Sequence, residues 1–167
     1  ALYKHYKNKR DIFDSILNHV CRLDMERSKK TGMPEDDFDK MPQPFRNTTV
    51  ESVMAYMKAQ FSYWTEDETA CNFRRMLTLE QYRNPEMANL YQKVLASGPV
   101  NYIEDLFREM MLSGTWLEGS PRQMAVEFFA PFYLLLSMSD AASGKEEKEK
   151  VAVLFTTHLE CFVETYA

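Results

Sequence analysis

Residues 120–139 read SPRQMAVEFFAPFYLLLSMS, and this run decides the fold. Ser120 followed three places later by Gln123 is a helix-opening signature, in which two side chains satisfy backbone N–H groups that the first turn leaves free. Pro121 at the first helical position loses nothing, because its missing N–H has no partner there anyway. Apolar side chains then fall almost all round the helix instead of on one stripe. Pro131 in its middle deletes one backbone bond and crowds the turn before it, which predicts a kink. The greasiest stretch, Ala125 to Leu136, is interrupted by Glu127 and Pro131. With no run of ~18 apolar residues, no membrane span is expected.

The segment after it behaves alike. Ser143 to Glu146 opens a helix whose stripe is Val151, Leu154, Phe155, His158, Leu159, Phe162 and Tyr166, widened by Cys161 and Val163. A helix facing one core needs roughly a third of its circumference to be apolar. These two helices carry more. Either both sit at the centre of one protomer, or they meet their symmetry mates in a four-helix contact. The second reading names Met124, Phe128, Phe132, Leu135, Leu154, Phe155, His158, Leu159 and Phe162 as a homodimer interface.

Toward the N-terminus the same punctuation recurs. Asn8 caps a helix with Asp11 at its third position and Ile12, Phe13, Ile16, Leu17 and Val20 on one face. Gly32, Pro34, Pro42 and Pro44 among charges mark residues 31–47 as a linker. Thr48 to Glu51 and Thr65 to Glu68 open two further helices, Asn84-Pro85 a third, and Gly98-Pro99 a fourth that ends at Gly114. Strand and hairpin signals are nearly absent. The expected fold is all-α, a bundle of about seven helices, divided as 1–7 (the end of a preceding helix), 8–30 (a connecting helix), 31–47 (linker) and 48–167 (a helical domain).

Composition bounds the function. The chain has 167 residues, 45% hydrophobic and 27% charged, with 5 Gly and 7 Pro, ordinary for a globular protein. Net charge is −5, yet Lys4, Lys7, Lys9 and Arg10 stand in residues 1–10 without an acid, so the remainder balances at −9. An acidic body excludes a general nucleic-acid binder, while a basic end can still touch phosphates. Cys21, Cys71 and Cys161 are odd in number and form no C-x-x-C pair, which suits free thiols in the cytoplasm. His5, His19 and His158 are isolated, and no metal motif, phosphate-binding loop or nucleophile elbow occurs, so no cofactor, metal or catalytic residue is expected.

The middle helices concentrate methionines and aromatics. Met54, Met57, Phe61, Trp64, Met76, Tyr91, Phe107, Met111, Trp116 and Phe128 either form plain core or line a cavity for an apolar or aromatic small molecule.

The most specific text is residues 1–17, ALYKHYKNKRDIFDSIL. Leu2, Tyr3, His5, Tyr6, Lys7, Asn8, Lys9, Ile12 and Phe13 resemble the end of the helix-turn-helix in TetR/AcrR (tetracycline-repressor-like) regulators of bacterial transcription. Leu77 to Tyr91 and Gly98 to Phe107 resemble, more loosely, the ligand domain of one subgroup. The resemblance implies a TetR-like C-terminal bundle, with most of the helix-turn-helix ahead of Ala1. It implies a regulator, most often a repressor, that binds operator DNA as a homodimer and is released by a small effector. It places Tyr3, His5 and Lys9 against the DNA backbone, where contacts position without specifying sequence. The competing readings are a helical enzyme or carrier using the same cavity, and a scaffold with a filled core.

Overall fold

The computed structural model describes residues 7–35 and 41–167, and all regular structure among them is helical. Eight helices follow in order: α1 (Lys9–Thr31), α2 (Gln43–Arg46), α3 (Val50–Glu66), α4 (Glu68–Glu80), α5 (Pro85–Leu95), α6 (Ser97–Leu112), α7 (Pro121–Ala141) and α8 (Lys145–Tyr166). Seven are those read from the sequence, and α2 is the addition. Tyr3 and His5 lie outside the described residues, as does the side chain of Lys9.

The caps explain most of the boundaries. Asn8 Oδ1 accepts from Asp11 N at 2.9 Å, and Asp11 Oδ2 accepts in return from Lys7 N at 3.1 Å. Asn84 and Ser120 accept from Glu86 N and Gln123 N at 2.8 and 3.3 Å. Two starts differ from expectation by one or two residues. Thr49, not Thr48, caps α3 through Ser52 N, because the Thr48 side chain is buried and donates to the Pro44 carbonyl. Asp67, not Thr65, caps α4, since Thr65 is still inside α3 and donates back to the Phe61 carbonyl. Ahead of α8, Glu147 instead of Glu146 accepts from both the N–H and the hydroxyl of Ser143. At the other end of α1, Gly32 takes φ 74°, and an added Cβ there would come within 3.1 Å of Ser52 Oγ, so the turn favours glycine.

Within the span 31–47, expected to be linker, the described residues Met33 and Phe45 are buried. Phe45 is 1% exposed and lies 5.6 Å from the Tyr102 ring. Tyr102 donates to the Pro34 carbonyl at 3.0 Å, and Arg46 pairs with the buried Glu109 at 2.7 Å. Prolines and charges hid a segment in which the buried Phe45 lies against Tyr102 of α6.

The core centres on α7. It packs most extensively on α6, then on α8, and also meets α3. Phe107 of α6 touches Trp116, Phe128 and Phe162 at ring distances of 5.2, 5.2 and 5.8 Å. Phe61 of α3 stacks on Phe155 of α8 at 4.6 Å. Pro131 sits inside a continuous α7. One turn before it, the Phe128 carbonyl accepts from His158 Nε2 at 2.9 Å. A carbonyl can only accept, so this bond fixes the proton on Nε2. At the C-terminal end of α7, Asp140 accepts a two-point bond from Arg74 (2.7 and 2.8 Å) and another from Arg75. Burial alone would raise the Asp140 carboxyl; the two guanidiniums outweigh it and pull it below the ordinary range.

Among the described residues, α7 alone is long and apolar enough, by length and composition, to cross a membrane. The averaged hydropathy tolerates Glu127 and Pro131, which break the run of apolar letters. In this fold one flank of the helix forms the core, and the other carries exposed apolar side chains.

We expect His158→Ala to lower unfolding stability by about 1–3 kcal/mol, because it strips a part-buried carbonyl of its donor. A urea unfolding midpoint, compared with wild type at unchanged slope, checks this.

Candidate functional site

A cavity of about 430 Å3 opens between α1, α3, α5, α6 and α7. Its deep wall is apolar: Met57 and Trp64 from α3, Ile103 and Leu106 from α6, Phe128 and Phe132 from α7. Its other wall is the second half of α1. Val20 continues the helix's apolar stripe, but the next positions on that face are Asp24, Arg27 and Ser28. A helix cannot close onto its neighbour across such groups unless they satisfy one another.

They do so through α3. Tyr56 donates its hydroxyl to Asp24 Oδ1 at 2.8 Å, and Gln60 Nε2 donates to the same oxygen. Arg27 Nε donates to Gln60 Oε1 at 3.1 Å, and an Arg27 NH2 group reaches Asp24 Oδ1 at 3.5 Å. The guanidinium lies 3.8 Å above the Tyr63 ring centroid, a cation–π contact. Asp24 Oδ2 receives no hydrogen bond from any described residue. Burial, then the Asp24 charge, push the Tyr56 phenol well above its ordinary value. Burial does the same to Tyr102, across the cavity. Cys21 at the rim is raised by burial and by Asp24, with Lys93 opposing. No group of three or more His, Cys, Asp or Glu able to hold a metal occurs among the described residues.

Of the ten residues expected to line a ligand cavity, Met57, Trp64 and Phe128 do so. The other seven lie outside its wall. Phe61, Phe107 and Trp116 are fully engaged in the aromatic core, and the Tyr91 hydroxyl meets that of Tyr133. Met54, Met76 and Met111 pack partly buried against the core. The polar members Asp24, Arg27, Tyr56, Gln60 and Tyr102 were not singled out from sequence. Their signal was the fading of the α1 stripe after Val20, where charged residues occupy positions in phase with it.

Of the nine residues expected at a dimer contact, Met124, Phe128, Phe132, Leu135, Phe155, Leu159 and Phe162 are buried within the protomer itself. Leu154 is exposed and His158 half-buried. The exposed apolar side chains of these two helices are Val126, Tyr133, Leu134 and Met138 on α7 and Val153 and Leu154 on α8. The helical period was right, but letters alone do not say which flank of a helix apolar on both sides faces its own core.

No family model matches the chain, and no curated protein matches it. Among solved structures, a protein from Mesorhizobium loti MAFF303099 assigned to the TetR family of transcriptional regulators superposes at TM-score 0.69. It is 14% identical, and the match covers 99% of this chain and 79% of that one. The chain therefore has a TetR-like fold.

A pH consequence follows from the two buried phenols. Each holds its proton more tightly folded than unfolded, so their contribution is complete below the unfolded value near 10. It is lost as pH rises toward the folded value, because the unfolded chain releases those protons first. We expect stability to fall above about pH 10, and Tyr56→Phe to flatten that fall, read by urea midpoints alongside phenolate absorbance.

Proposed function

We propose that the chain is the effector-binding and dimer-forming part of a TetR-family transcriptional regulator, most plainly a repressor, working in the cytoplasm. One observation carries the reading: the wall of the cavity includes the half of α1 from Val20 to Ser28. In the resemblance, this same helix follows the helix-turn-helix directly. A small apolar or aromatic molecule filling the cavity therefore presses on the connection to a DNA-binding head. The TetR-like fold over nearly the whole chain supports the same assignment.

The mechanism is a difference in affinity. Operator DNA favours one spacing of two heads, because half-sites lie about one duplex turn apart. An effector that binds the other arrangement more tightly releases the DNA; one that binds both equally shifts nothing. Tyr3, His5 and Lys9 are assigned to the phosphate backbone by sequence resemblance.

The homodimer is proposed through the outer flank of α7 and α8. Val126, Leu134 and Met138 follow one another at helical spacing with Val153 and Leu154 on the adjacent helix, all more than 40% exposed. Large apolar side chains gathered on one flank are a mark of association. An enzyme or carrier using the same cavity is the alternative, distinguished by turnover of a bound compound.

Leu134 is 59% exposed, so Leu134→Arg leaves the protomer core intact while placing a charge in the proposed contact. We expect it to weaken self-association by at least about tenfold, since an unpaired charge at a desolvated centre is costly. Sedimentation of wild type at twice the mass of the variant supports the interface, and equal masses refute it. In the full-length protein, operator affinity should fall steeply with salt. Salt-independent DNA binding would refute the regulator reading.

A further inference from the structure

The cavity wall also selects the head group of its ligand, an inference that rests on the effector reading above. Asp24 is the acceptor left over. Its Oδ1 collects Tyr56, Gln60 and Arg27, while its Oδ2 receives nothing from any described residue. The side chain is 44% exposed and forms part of the cavity wall. An ionised carboxylate has about four lone-pair sites, so capacity remains for a donor.

The neighbouring charges do not fill it. Arg27 is 14% exposed and directs Nε to Gln60 Oε1 and one amino group to Asp24 Oδ1, with its guanidinium over the Tyr63 face; none of its bonds reaches Asp24 Oδ2. Lys93 lies exposed on the wall and forms no ion pair with a described residue. Glu35, also exposed on the wall, adds a second carboxylate. The rest of the wall, apart from Ser28, Gln60 and the hydroxyls of Tyr56 and Tyr102, is apolar or aromatic, with Trp64, Phe128 and Phe132 in the depth.

We propose that the cavity takes an amphipathic amine. Its protonated nitrogen donates to Asp24 Oδ2, and its aromatic or aliphatic body lies against Phe128 and Phe132. A charge-assisted bond of this kind is roughly twice as strong as a neutral one. Aromatic rings around a partly desolvated cation add to it. A neutral head forgoes the charge, and a carboxylate head meets Asp24 as like against like. Because Asp24 belongs to α1, the bond couples ligand and helix without an intermediary.

The test compares 6-phenylhexylamine, 6-phenylhexanol and 6-phenylhexanoate, one hydrophobe with three heads, by isothermal titration calorimetry on the intact chain at neutral pH. The amine is expected to bind at least about tenfold tighter than the other two. Asp24→Asn should bring the amine to within about threefold of the alcohol and leave the alcohol's own affinity little changed. Asp24→Glu, which keeps the charge, should retain a preference for the amine. Equal binding of amine and alcohol, or a preference for the carboxylate, overturns the proposal and leaves the effector cavity standing. An amine preference that survives Asp24→Asn overturns the part given to Asp24. If none of the three binds, the proposal falls together with the effector reading. Should the Asn variant not fold, the wild-type order of the three heads and the Glu variant still decide.

Discussion

The carboxylate of Asp24 sets the terms for this fold. It stands, half-exposed, where the apolar stripe of α1 would continue, within hydrogen-bond reach of α3. A charge only partly withdrawn from water is still favoured by donors on the facing helix. Tyr56 and Gln60 supply them from α3, and Arg27 from the next turn of α1 itself. Polar groups that hold one another in a fixed lattice do not collapse as methyl groups do. The space beside them stays open, bounded on the far side by aromatic rings from α7 that are themselves committed to the core.

Helix α7 shows the opposite economy. It is apolar on both flanks, and the flanks have different fates. One flank is held by Phe107, Phe155 and Phe162, with Asp140 tied to Arg74 and Arg75 at the end of the helix. The other presents aliphatic side chains outward. His158 joins the helix to α8 through the backbone, beside the one place where proline interrupts the ladder. Core packing thus locks the inner flank in register and leaves the outer flank as a rigid, preformed apolar surface.

Helix number, type and approximate ends were legible in the sequence because capping residues, Pro and Gly act locally. Where caps moved from Thr48 and Thr65, the expected hydroxyl was already bonded to a carbonyl four residues back, Pro44 and Phe61 respectively. The short α2 was not legible, since four residues with a proline carry no period and Phe45 declares itself only by what it touches. The cavity was legible in part. Methionines and aromatics point to a greasy interior, and Met57, Trp64 and Phe128 are in its wall. Composition cannot separate a filled core from a hollow one, because both are lined by the same residue types. The polar side of the cavity depends on α1 lying beside α3, a long-range pairing that periodicity within either helix does not encode.

The turn at Gly32 and the buried Met33 have a mechanical corollary for α1. The 23 residues of that helix make a rod about 34 Å long, at 1.5 Å per residue. Its C-terminal end lies against α3 and α6 through Gly32 beside Ser52, the buried Met33, and the Pro34 carbonyl that accepts from Tyr102. Its other end is restrained by the Phe13–Phe73 ring contact and by Arg10 on Glu86, an ion pair more than half exposed on both sides. Such pairs contribute little. Were the C-terminal end held, a tilt of about five degrees would sweep the Lys9 end through roughly 3 Å, given that length. A small displacement at Asp24, about two turns from the held end, would be magnified toward the tip by simple leverage.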